Sequence, residues 1–113
     1  MFSTKIRWVK IAESQSELAD KTSFKKSVVV HVNGKSLLLV NDNDHFYLFK
    51  NKCPHQGISL ENAQCAEGFL VCPWHRYGFD LKTGRGGGLH LENYPIEFRE
   101  NGVYAGFEYF SLF

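Results

Sequence analysis

The chain has 113 residues, 43% of them hydrophobic and 22% charged, with ten Phe and a formal net charge of +1. That length suits one domain with one core, expected to span residues 1–113, and the scattered Lys and Arg exclude a nucleic-acid surface as its main purpose. No apolar run approaches the roughly 18 residues that cross a bilayer, and charges interrupt the start, Met1-Phe2-Ser3-Thr4-Lys5-Ile6-Arg7-Trp8, before a signal-peptide core can form, so a cytoplasmic location without a membrane partner is expected.

In chain order the dominant pattern is β. Ile6–Ile11 alternates loosely. Ser14–Asp20 is the one helical stretch, short, with Ser14 or Ser16 as N-cap. Val28–Val32 is rich in β-branched residues and meets Asn33-Gly34, a strong two-residue hairpin signal. Ser36–Val40 is a continuous apolar run, as in a strand buried on both faces. After the polar turn Asn41-Asp42-Asn43-Asp44, the strand His45–Lys50 should send Phe46 and Leu48 to one side and Tyr47 and Phe49 to the other. Near the end, Tyr94–Phe98, a turn at Asn101-Gly102 and Val103–Tyr109 make a final hairpin. Short strands with frequent turn signals predict an all-β sandwich or small barrel.

Asn51–Gly88 differs. It holds two of the three prolines, most of the ten glycines and all three cysteines. Ordering such turn-rich chain is costly unless something organises it, and a bound cofactor would. Three cysteines cannot all pair, and in a reducing compartment short Cys/His spacings point to metal before disulfide. Cys53-Pro54-His55-Gln56-Gly57 supplies a C-x-H pair and Cys72-Pro73-Trp74-His75 a C-x-x-H pair, each just after an apolar strand-like run. Two strand ends would thus bring two thiolates and two imidazoles to one point. A tetrahedral zinc ion accepts that set, and so does a two-iron cluster with both thiolates on one iron and both imidazoles on the other. Pro54 and Pro73 stiffen the turns, Gly57 permits a positive φ, and such turns aim backbone N–H groups at bridging sulfides. A zinc finger would continue into a histidine-bearing helix, whereas Gly78-Phe79-Asp80-Leu81 is strand and turn sequence.

With these residues in view the chain resembles the Rieske family, in particular its soluble low-potential ferredoxins, similar to the ferredoxin components of aromatic-ring dioxygenases. The resemblance covers most of the chain: the strands before the motif, C-P-H-Q-G with Leu60 beyond it, C-P-W-H, Phe79-Asp80-Leu81-Lys82-Thr83-Gly84, then Tyr94-Pro95-Ile96 and the closing hairpin through Val103-Tyr104. It implies an all-β fold: a β-sandwich base and a cluster-binding subdomain made by two loops, about 51–60 and 70–80. It implies one [2Fe–2S] cluster per chain, with Cys53 and Cys72 on the buried iron and His55 and His75 on the outer one. It implies a one-electron carrier that takes electrons from a reductase and passes them to an oxygenase or other terminal enzyme, by transient contact near His55 and His75, with no substrate-converting site of its own. A monomer is expected, with a dimer as the alternative. Two other functions compete: a small Rieske-like subunit of a larger reductase such as nitrite reductase, and a structural zinc-binding interaction module.

Departures from the membrane-complex branch bear on potential. Ile58 and Trp74 stand where that branch has a disulfide pair, and Tyr77 and Phe79 where it has a hydroxyl-bearing serine and tyrosine. Fewer hydrogen bonds toward the cluster disfavour the reduced state, which sets the expected midpoint at roughly −150 mV. Deprotonation of the imidazoles should also couple reduction to proton uptake at high pH.

Cys65 is expected as a small apolar loop residue. His31, His45 and His90 are expected at the surface, and Trp74 as a cover over the cluster. Gly86-Gly87-Gly88 lacks the Lys-Ser or Lys-Thr of a phosphate loop, so a flexible turn is expected. The aromatic tail Phe107–Phe113 should dock onto the domain's own core.

Overall fold

The structure is a computed structural model and describes residues 3–54, 57–73 and 76–111. Strand β1 (Ser3–Ala12) leads into helix α1 (Gln15–Lys21), with Ser14 as N-cap: its hydroxyl accepts from the Glu17 amide, and the Glu17 carboxylate accepts in turn from the Glu13 amide. Strands β2 (Ser27–Val32), β3 (Lys35–Asp42) and β4 (His45–Lys50) form an antiparallel meander. Its first turn has φ +50° at Asn33 and +77° at Gly34, the paired left-handed conformation of a tight hairpin.

Three short strands, β5 (Gln64–Ala66), β6 (Phe69–Val71) and β7 (Gly78–Asp80), make a second antiparallel sheet. The hairpin β8 (Arg85–Gly86) and β9 (Leu89–His90) stands beside it. Strand β10 (Asn93–Tyr94) joins the edge of β4, while β11 (Ile96–Arg99) and β12 (Gly102–Ser111) join β1 in the order β1-β12-β11. The stretch expected as one strand, Tyr94–Phe98, is therefore two, divided between sheets at Pro95. Proline has no N–H to give a ladder, and the Pro95 carbonyl accepts from the Gly106 amide as the chain changes sheets. The final turn is Glu100-Asn101 rather than Asn101-Gly102, because Gly102 already pairs with Arg99.

In the four-stranded sheet β10-β4-β3-β2 the middle strands β3 and β4 bury side chains on both faces. Leu37, Leu39 and Leu48 turn toward Val103, Ala105 and Phe107 of β12 and toward Leu18 of α1. Leu38, Val40 and Phe49 turn the other way, toward Leu70, Phe79, Leu81 and Leu91. Period-2 alternation thus feeds two cores from the same strands; the expectation holds for Leu37–Val40 and for Phe46–Phe49, while Ser36 is exposed at the start of the run. The chain is an all-β sandwich with a small loop-bearing subdomain on one face. Of the aromatic tail, Phe107 is buried in the first core, whereas Tyr109 is exposed. Leu112 and Phe113 lie outside the described residues.

Candidate metal centre

Two loops leave the subdomain face. The first follows β4, the second β6. Cys53 and Cys72 are both fully buried and pack in the same core cluster, with Leu60, Leu70 and Phe79. The structure thus brings the two predicted thiol ligands into one dry neighbourhood. His55 and His75, the predicted imidazole ligands, lie outside the described residues, as does Trp74.

The loops are built alike. The Cys53 amide donates to the Ile58 carbonyl at 2.8 Å, and the Cys72 amide donates to the Tyr77 carbonyl at 2.8 Å. In each loop the fifth residue after the cysteine therefore closes the turn. The fourth is left-handed in both: Gly57 at φ +71° and Arg76 at φ +52°. Glycine adopts that conformation without strain, while arginine does so at a cost of about 1–2 kcal/mol. This twin construction was hidden in the sequence, where C-x-H and C-x-x-H look unlike.

Asn51 staples the first loop. Its Oδ1 accepts from the Leu60 amide at 2.8 Å and from the Ser59 hydroxyl at 3.1 Å, while its Nδ2 donates to the Ser36 hydroxyl at 3.0 Å. Sequence reading did not single out Asn51; an asparagine at a strand-to-loop boundary was the available signal. Tyr77 supports the second loop. Its hydroxyl lies 2.9 Å from both the Gly86 and Gly87 carbonyl oxygens, to which it donates, and its ring tilts against Phe79 at 5.2 Å. The triple glycine is thus a tethered hairpin turn rather than a flexible one, with φ +54° at Gly87 and +85° at Gly88.

Asp80 organises the segment after β7. Its Oδ1 accepts from the Lys82 and Thr83 amides, and its carbonyl accepts from the Gly84 amide at 2.7 Å. The Thr83 and Lys82 amides, in that order, hold its carboxyl below the ordinary carboxylate range. Cys65 is a strand residue rather than a loop one: it is half-buried on β5 opposite Leu70, with its thiol pushed up by burial first and by Asp42 second. The cysteines form no disulfide. His31, His45 and His90 are exposed, His90 with its Nε2 at 3.1 Å from the Thr83 carbonyl oxygen.

Two thiols buried in one apolar cluster, on loops whose sequence carries a histidine after each cysteine, suit a centre that takes soft thiolate and nitrogen donors together. Among the described residues no helix is long and apolar enough to cross a membrane.

Comparisons with known proteins agree. The Rieske [2Fe-2S] domain family matches residues 7–93. The ferredoxin component of the alkene monooxygenase system of Xanthobacter autotrophicus is 30% identical over 84 residues, 71% of this chain and 69% of that protein. Apoptosis-inducing factor 3 of Mus musculus and of Homo sapiens is 36% identical over 66 residues, 58% of this chain; the match spans 10% of those proteins' length. Among solved structures, the terminal oxygenase of carbazole 1,9a-dioxygenase from Nocardioides aromaticivorans superposes with a TM-score of 0.70 at 22% identity, covering 88% of this chain and 29% of that one. The reduced complex between oxygenase and ferredoxin in carbazole 1,9a-dioxygenase gives 0.71 at 18%, covering 88% and 28%. These last two establish the fold. The chain belongs to the Rieske [2Fe-2S] domain family, whose cofactor is a Rieske-type [2Fe–2S] cluster.

Proposed function

We propose that this chain is a one-electron carrier, that Cys53, His55, Cys72 and His75 hold its cluster, and that it passes electrons from a reductase to an oxygenase or other terminal enzyme. The observation that carries this reading is the burial of Cys53 and Cys72 in one core at the closed ends of twin loops. When bound, the cluster supplies a single reversible redox step. The chain's residues fix the donors and exclude water. Leu60, Leu70 and Phe79 surround the thiols with apolar atoms, and the backbone bonds at Ile58 and Tyr77 hold each turn closed. Rigid donors keep reorganisation small when charge changes, which is what an electron carrier needs. In this reading His55 and His75, which follow the two cysteines in sequence, supply the nitrogen donors and the electron's route to a partner.

The relatives support the partner class. One is a ferredoxin component of a monooxygenase system, and one structural neighbour is a complex of an oxygenase with a ferredoxin. The test is EPR of the dithionite-reduced protein with iron and acid-labile sulfide assays, on wild type and on His55→Ser and Cys72→Ser. The expected result is two irons and two sulfides per chain, with a rhombic signal averaging below the free-electron value, lost in both variants. A colourless protein containing zinc and no sulfide would overturn the proposal.

A further inference from the structure

The loops that close over the cysteines carry cations and no carboxylate. Residues 51–60 include Lys52 and residues 70–77 include Arg76, and neither segment holds an Asp or Glu. Both cations are exposed. Lys52 lays its stem over Gly57, with its Cε 3.7 Å from where a Cβ on that glycine would stand. Among the described residues neither has an ion-pair partner; the ion pairs are Lys10–Glu13, Lys50–Glu92 and Arg99–Glu97. The acids that follow the two segments are Glu61, which is exposed and forms no ion pair among the described residues, and Asp80, whose carboxylate is engaged by the Lys82 and Thr83 amides.

Arg76 carries a further signal. It occupies the left-handed position that its twin loop gives to glycine, so the backbone there would be served better by a residue with no side chain. The arginine stands there at that conformational cost. Net charge over the whole chain is only +1, so two uncompensated cations flanking the buried thiols make a local positive field on a nearly neutral molecule. Such a field accelerates encounter with surfaces of opposite sign and slows encounter with like ones.

We infer that the rim of the cluster loops, centred on Lys52 and Arg76, is a docking surface for a redox partner whose own docking face presents carboxylates. The inference rests on the carrier function proposed above. Electron exchange would then occur with the two cations paired across the interface.

The test uses small redox reagents of opposite charge on the cluster-loaded protein, first verified by its EPR signal and sulfide content. The reduced protein is mixed with ferricyanide, an anion, or with tris(phenanthroline)cobalt(III), a cation, in stopped flow across ionic strengths of about 10 to 300 mM, over which screening shortens from roughly 30 Å to below 10 Å. Ferricyanide oxidation should slow as salt rises and the cobalt reaction should quicken. Poly-L-glutamate, a carboxylate surface without redox chemistry, should slow ferricyanide oxidation at low salt. In the double variant Lys52→Glu/Arg76→Glu the ferricyanide rate at low salt should fall at least about tenfold, with the salt dependences exchanged. Lys21→Glu, near the C-terminal end of α1, should move neither rate beyond the effect of net charge.

Salt dependences of the reverse sign in the wild-type protein would overturn the inference even if the double variant does not fold. So would a double variant that behaves like Lys21→Glu. Absence of the EPR signal and of sulfide would overturn the carrier reading, and this inference with it. A normal cluster with unchanged rates overturns the docking surface alone.

Discussion

Gly86→Ala offers the sharpest test of how the subdomain supports its second loop. A Cβ at position 86 would be driven into the Gly78 carbonyl oxygen and brought to 3.1 Å from Phe79 Cδ1. The first obstacle is backbone, so no side-chain rotation relieves it. The β8–β9 hairpin must then lift from β7, and the Tyr77 hydroxyl loses its bond to the Gly86 carbonyl. Overpacking of that kind costs up to about 3 kcal/mol, and the lost hydrogen bond about 1 kcal/mol more, for a total of roughly 3–4 kcal/mol. Gly88→Ala, two residues along, meets nothing within contact distance and suffers only from its positive φ, at about 1–1.5 kcal/mol.

At about 4 °C per kcal/mol for a chain of this length, the two variants should separate. Gly86→Ala should lower Tm by about 12–16 °C and Gly88→Ala by about 4–6 °C. Thermal unfolding followed by far-UV circular dichroism gives both values, and visible circular dichroism of the cluster tells whether the second loop loosens first. Equal losses in the two variants would refute the contact between hairpin and β7 as the source of support.

Three further outcomes are expected. Because Phe79 has no donor and the Tyr77 hydroxyl donates to the Gly86 and Gly87 carbonyls, the midpoint should lie at roughly −150 mV, and protein-film voltammetry returning a value above about +150 mV would contradict this. Asp80 is held below the ordinary carboxyl value of about 3.9; its ionised form therefore stabilises the fold above that pH, and the contribution disappears as pH falls through the native value. Urea midpoints of wild type and Asp80→Asn should accordingly differ at neutral pH and converge in acid, and a gap that widens in acid would be inconsistent. Leu38→Ala and Leu39→Ala, neighbours facing opposite cores, should each cost about 2–5 kcal/mol, but Leu38→Ala should release iron to a chelator several-fold faster under native conditions, and identical release rates would argue against separate cores.

Much of this arrangement was legible because the strands carry unambiguous periodicity. The apolar run Leu37-Leu38-Leu39-Val40 has no polar face to offer, and a strand without one must be covered on both sides. Its partner Phe46-Tyr47-Leu48-Phe49 obeys the same logic. The cysteine spacing and the F-D-x-x-T-G run were legible for a different reason: metal ligation and amide-capped turns require specific atoms, so few sequences satisfy them. What escaped was geometry set by tertiary contact. Nothing local to Tyr77 announces that its hydroxyl reaches glycine carbonyls nine and ten residues ahead. Equally, Gly86-Gly87-Gly88 looks loose until Gly78 and Tyr77 are seen to close on it. The equivalence of Gly57 and Arg76 was obscured because the two motifs place histidine at different offsets, although their backbones close at the same one.

That equivalence explains why the site can be rigid on so small a chain. Loop one springs from β4, whose Leu48 and Phe49 are anchored in opposite cores, so the strand end at Lys50 is clamped from both faces before the loop begins. Loop two springs from β6, the middle strand of its sheet, with Leu70 fully buried just before Cys72. Each cysteine thus follows closely on an immobile core side chain, and each turn is sealed by one backbone bond of the same span. Two short, separately anchored turns of matched construction lose less on ordering than one long loop would, and they meet with their thiols inward and their cations outward. The same economy that fixes the donors leaves the rim residues Lys52 and Arg76 held on stiff backbone, so a charge-matched partner finds the docking surface already formed.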